Sequence, residues 1–123
     1  MSRNAAKPAY RVPVYLSSRG YNTIPVNPFT KKIMARRSYP SLKDVPAPVD
    51  IVQVFRRSNQ ALNTVRDALE RKRQRSDVEV IWLQEGIENE EARRLALDAG
   101  VVFIQNRCMY KELRRLLQKK SEE

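Results

Sequence analysis

Val49-Asp50-Ile51-Val52-Gln53-Val54-Phe55-Arg56-Arg57-Ser58 decides the fold of this chain. Its first seven residues are β-branched or aromatic at all but two places, which suits a mostly buried strand. Ser58 is placed to cap the helix that follows, in which Leu62, Val65 and Leu69 recur at helical spacing. That helix is expected to dissolve across Arg71–Asp77. Outward from here the alternation continues. Val78–Leu83 reads as a second strand. Asn89 then opens a helix with Glu90 and Glu91 in its first turn, where carboxylates favour the positive end of the dipole. Ala92, Leu95 and Ala99 give that helix its buried stripe, and Gly100 ends it. Val101–Gln105 is the third strand. Met109, Leu113, Leu116 and Leu117 form a last amphipathic helix, with residues 119–123 a frayed tail.

Strands alternating with helices require right-handed crossovers and a mostly parallel sheet covered on both faces, an α/β architecture. The first third fits as one more unit. Ala9–Arg19 reads as a helix with Val12, Tyr15 and Leu16 turned inward, and Pro13 inside it is expected to kink or delay it. Gly20 ends this helix and Tyr21–Val26 is expected to be a strand. Residues 27–48 are mostly loop, with a helical turn at Ser41–Asp44. Residues 1–118 are therefore expected to form a single domain.

Composition narrows the chemistry. A chain of 123 residues has no histidine, which excludes a Ser-His-Asp triad, a Cys-His dyad and any His-bearing zinc or haem site within it. The single cysteine, Cys108, excludes an internal disulfide and a CxxC pair. Gly20, Gly86 and Gly100 stand alone, so neither GxGxxG nor a Walker loop is present. No apolar run is long enough to span a bilayer. The net charge of +10 is uneven: residues 1–43 hold nine of the 24 Lys and Arg and no acid, while the remaining 15 face all 14 acids. All seven prolines fall between Pro8 and Pro48. A basic surface favours an anionic partner such as a phosphorylated ligand or nucleic acid, and equally suits a solvated, heat-adapted surface. Residues 1–20 are Arg-rich and acid-free like a transit peptide, but no continuous apolar segment follows as in a secretory signal. Cytoplasm is the expected location.

Ligands of open α/β sheets bind beyond the carboxyl ends of the strands. Arg56-Arg57 stands there immediately before a helix N-terminus, an arrangement of guanidinium forks and backbone amides that suits an anion. Cys108 lies at a strand-to-helix junction between Arg107 and Lys111, a setting that favours thiolate, although a lone cysteine more often acts as a small apolar residue. Glu85, Glu88 and Glu112 are not spaced as a catalytic pair. Trp82 is expected in the core. Tyr10, Tyr15, Tyr21 and Tyr39 interleave with basic residues, which loosely resembles a nucleic-acid surface.

Several ordered segments resemble the small stand-alone CoA-binding proteins, which are similar to the CoA-binding domain of the succinyl-CoA synthetase alpha chain. They are Asn4…Lys7-Pro8-Ala9-Tyr10-Arg11-Val12, Tyr15-Leu16, Gly20-Tyr21, Ile24-Pro25-Val26-Asn27-Pro28 and Tyr39-Pro40-Ser41-Leu42. Pro48–Arg57, Trp82-Leu83-Gln84-Glu85-Gly86 and Asn106-Arg107-Cys108 continue the match, which runs in order from Ser2 to Leu116. The resemblance implies a Rossmann-like three-layer fold holding coenzyme A or an acyl-CoA without catalysis, and without metal or membrane. Ser2, Asn4 and Lys7, with Tyr10 beside them, match the end of the phosphate loop. Val26, Asn27 and Pro28 match the segment beside the adenosine. Phe55, Arg56 and Arg57 match the wall along phosphates and pantetheine, and Leu83, Gln84 and Cys108 line the same crevice. The alternative is a basic nucleic-acid-binding protein using the cationic first third and Arg71–Arg75.

Family members begin with a strand and a glycine-containing turn ahead of the segment that starts here at Met1-Ser2. A sheet without that strand is expected to show a gap beside Tyr21–Val26, or to be completed by another copy in a homo-oligomer. Asn106 stands where the family usually has Asp, and Leu113 where it usually has His, departures that bear on proton chemistry near Cys108.

Overall fold

The computed structural model describes residues 1–2, 4–33 and 36–122, with side chains described as far as Gln118. Arg3 of the cationic segment and Glu123 of the tail lie outside the described residues. The chain folds as two compact bodies, one of residues 1–45 with 109–123, the other of residues 46–108.

The second body holds the parallel sheet. Strands β3 (Ile51–Val54), β4 (Val80–Leu83) and β5 (Val102–Ile104) pair in that order, all parallel. The register sets Val52 against Ile81 and Val54 against Leu83. These four are buried and share one face of the sheet, because side chains alternate along a strand. Helix α2 (Ser58–Arg75) packs on β3 and β4, and α3 (Glu90–Asp98) packs on β5 and α2. Small residues allow the close approach: Ala61, Val65 and Ala68 of α2 and Ala92 and Ala96 of α3 are fully buried. The buried stripe of α2 thus runs one residue ahead of the expected Leu62 and Leu69, both half-buried.

Two expectations for α2 are corrected. Ser58 is its first helical residue, Arg57 occupies the N-cap position, and the Ser58 hydroxyl instead accepts from the Glu88 amide at 3.1 Å. The helix also continues through Arg75. Arg71 is buried, not a solvated charge: its Nε donates to Asp77 Oδ2 at 2.9 Å and its guanidinium to Ala47 O at 2.8 Å. Lys72, Arg73 and Arg75 complete a basic last turn that suits the negative end of the dipole. The helix closes on Ser76, in the left-handed region at φ 58°.

In the first body, α1 (Pro8–Ser18) buries Val12, Pro13 and Leu16. Proline at its first position loses no helical hydrogen bond there. Helix α4 (Met109–Glu122) packs against α1, where the Tyr15 and Tyr110 rings meet edge-on, centroids 4.5 Å apart. Tyr21–Val26 does not form the expected strand. A single parallel bridge joins Val26 to Tyr39, because Pro25 has no N–H to give and contributes only its carbonyl, which accepts from Tyr39 N at 3.0 Å. The expected loop of residues 27–48 contains a short antiparallel ladder, β1 (Lys32–Ile33) with β2 (Arg36–Arg37), and a 3-10 turn at Leu42–Asp44. Arg36 is anchored, not solvated: it donates to Asn22 Oδ1, Thr23 O and the Ser17 hydroxyl.

Candidate functional site

In the second body the candidate residues gather at the carboxyl ends of the strands. Phe55 is half-buried directly after β3, and Arg56 and Arg57 follow it, both exposed. Arg57 adopts extended backbone and no side chain caps α2. Two guanidinium groups therefore stand free in solvent at the positive end of an 18-residue helix, where anions are favoured. Leu83 is fully buried. Gln84 is only 5% exposed, because its amide extends the ladder to Val54 O at 3.1 Å and its Oε1 accepts from Gln53 Nε2 at 3.4 Å. Cys108 is a half-buried free thiol after Arg107, whose amide donates to Leu83 O at 3.5 Å. Trp82 is half-buried, outside the core, and its Nε1 donates to Arg107 O at 2.7 Å.

The loops carrying these residues are tied to one another by side chains. Asn89 caps α3 through Oδ1 and Ala92 N, and its Nδ2 donates to Ser58 O at 3.1 Å. Its own amide donates to Gln105 Oε1 at 3.0 Å. One asparagine thus joins the starts of α2 and α3 to the end of β5. In the sequence Asn89 reads only as a helix start and Gln105 only as a strand end; their bond is visible only in the fold.

In the first body the other candidates form their own cluster. The amino terminus donates to Val26 O at 2.9 Å and Asn27 Nδ2 donates to Met1 O at 2.7 Å. Ser2 N donates to Ala9 O, and the Ser2 hydroxyl accepts from Asn4 N. Asn4 accepts from Ala6 N through Oδ1 and from Lys7 N through its carbonyl. Lys7 is exposed at the N-cap of α1, and Tyr10 N donates to Lys7 O at 2.9 Å. Met1 ties this segment to Val26 and Asn27, while Ser2, Asn4, Lys7 and Tyr10 are bonded within the segment itself. Pro28 is exposed beside them, and Asn27 Oδ1 holds the next turn by accepting from Phe29 N.

Three of the five tyrosines carry one of the chain's own arginines, while Tyr21 is exposed. Arg19 lies 5.3 Å from the Tyr15 ring centroid, Arg37 5.1 Å from that of Tyr39, and Arg114 5.7 Å from that of Tyr110. Among the described residues no group of three or more Cys, Asp or Glu is placed to hold a metal ion, and no helix is long and apolar enough to cross a membrane.

Several known proteins resemble this chain in sequence and fold. Residues 1–114 match the family described as CoA binding domain. The uncharacterized protein YneT of Bacillus subtilis is 33% identical over 109 residues, covering 89% of this chain and 77% of that protein. A hypothetical protein from Pyrococcus horikoshii has a solved structure that superposes with a TM-score of 0.87 at 33% identity, over 94% of this chain and 78% of the other. The Rossmann-like α/β fold also recurs inside a longer enzyme. The dinucleotide-forming acetyl-coenzyme A synthetase 1 of Ca. Korarchaeum cryptofilum, solved with phosphate and ADP, matches at TM-score 0.72 and 22% identity, over 86% of this chain and 24% of that one.

Proposed function

Because this chain belongs to the CoA binding domain family, we propose that it binds coenzyme A or an acyl-CoA and does not transform it. The observation that carries this reading is the Arg56-Arg57 pair, exposed at the uncapped start of α2 and at the carboxyl end of β3. CoA is a polyanion, and guanidinium forks at the positive end of a helix are suited to its phosphates. Phe55, Gln84 and Cys108 would flank the pantetheine, Leu83 being buried out of a ligand's reach. The absence of histidine leaves Cys108 with no imidazole base, which supports binding without chemistry.

Isothermal titration tests the assignment. Arg57→Ala is expected to weaken CoA about tenfold, the size of a lost charge-assisted hydrogen bond, and to leave pantetheine unaffected. Equal losses for the two ligands would remove Arg57 from the phosphate. The nucleic-acid alternative predicts a gel shift that weakens steeply with salt. Tyr15, Tyr39 and Tyr110 each lie under one of the chain's own arginines, which favours the CoA reading over it.

A further inference from the structure

We propose that Asn106 is a positioning residue for this site, latching the loop after β4 to the loop after β5 and so setting where Gln84 and Cys108 stand. The proposal rests on the CoA reading above. Asn106 lies in the left-handed region at φ 57°, one of three non-glycine residues with positive φ among those described. Asparagine tolerates that conformation better than other non-glycine residues because its short side chain bonds locally. Here the side chain bonds across to the other loop. Asn106 Oδ1 accepts from the Gly86 amide at 2.7 Å, and Asn106 N donates to Ile87 O at 3.1 Å.

The two bonds run in opposite senses between the same two loops, so they fix direction as well as distance. The left-handed turn also aims the next residue. Arg107 gives its carbonyl to Trp82 Nε1 at 2.7 Å and its amide to Leu83 O at 3.5 Å. Gln84 and Cys108 are the immediate neighbours of residues held in this way. Gly86 has φ 86°, and an added Cβ there would meet nothing within 4 Å. The bond from its amide to Asn106 Oδ1 ties this turn to the neighbouring loop.

Two variants separate the contributions. Asn106→Gly keeps the backbone freedom and removes the acceptor; Asn106→Asp keeps an acceptor and a side chain that tolerates positive φ. The glycine variant is expected to bind CoA about fivefold to tenfold more weakly, the factor set by one ordinary hydrogen bond, with faster hydrogen exchange at the Gly86 amide. The aspartate variant is expected to keep that amide protected and to bind within about threefold of the original chain, the residue being the effect of one added surface charge. A role confined to stability would lower the melting temperature of the glycine variant and leave the CoA affinity of its folded form unchanged. Wild-type affinity in the glycine variant overturns the proposal. So does an aspartate variant that protects Gly86 yet binds as weakly as the glycine variant. Failure of the unaltered chain to bind CoA is a separate result, which overturns the CoA reading itself.

Discussion

Asp77→Ala is expected to destabilise the body of residues 46–108 severely. The Arg71 side chain is 2% exposed and that of Asp77 10%, so the pair sits out of water. Asp77 Oδ2 accepts from Arg71 Nε at 2.9 Å and from the Val49 amide at 3.1 Å, tying the end of α2 to the entry of β3. Removing the carboxylate leaves the guanidinium buried opposite an alanine and takes the acceptor from a backbone amide. Breaking one side of a buried pair costs about 3–5 kcal/mol. In a chain of this size that lowers the melting temperature by roughly 10–20 °C. Urea unfolding followed by the fluorescence of Trp82, the single tryptophan, reads the same body. Arg71→Met combined with Asp77→Ala is expected to lose less than Asp77→Ala alone, because no charge is left buried. A cost below about 1 kcal/mol for Asp77→Ala, the range of an exposed pair, would refute the reasoning.

Three further outcomes follow from the same geometry. Asn89→Ala removes the α3 cap and the bond to Ser58 O, and is expected to cost about 1–2 kcal/mol in urea unfolding, with hydrogen exchange rising first at the Ala92 amide. Gly100→Ala meets no atom within 4 Å but must hold φ 75°, so thermal melting is expected to show a loss of about 1–2 kcal/mol from the backbone alone. The Glu70 carboxyl is held below the usual carboxylate range by its hydrogen bond to Arg73. Its contribution is therefore complete above that range and lost as pH falls through the lowered value. An NMR titration is expected to show Glu70 returning upward in Arg73→Gln.

The three strands of the second body were legible because β-branched runs bounded by helix signals leave little choice in a buried parallel sheet. Tyr21–Val26 carries a comparable pattern, yet Pro25 has no N–H to give and only Val26 makes a β-bridge. Arg71 reads as the point where the helix dissolves and as part of a basic run that could serve nucleic acid. Its burial depends on Asp77 and Ala47, which only the folded chain brings to it. The site divides in the same way. Arg56 and Arg57 were visible from position alone, between a strand and a helix. Asn106 acts through a left-handed backbone and a bond to Gly86, twenty residues earlier in the chain, and no spacing rule announces either. The attachment of Asn27 to Met1 is hidden for the same reason: it is a tertiary contact between segments 26 residues apart.

We propose that this chain binds CoA at the carboxyl ends of its strands, with Arg56 and Arg57 on phosphate. Calorimetric titration of the unaltered chain with CoA, run at low and at high salt, tests it most directly. Saturable binding that weakens as salt screens the arginines is expected. No heat at CoA concentrations of about a millimolar would contradict it.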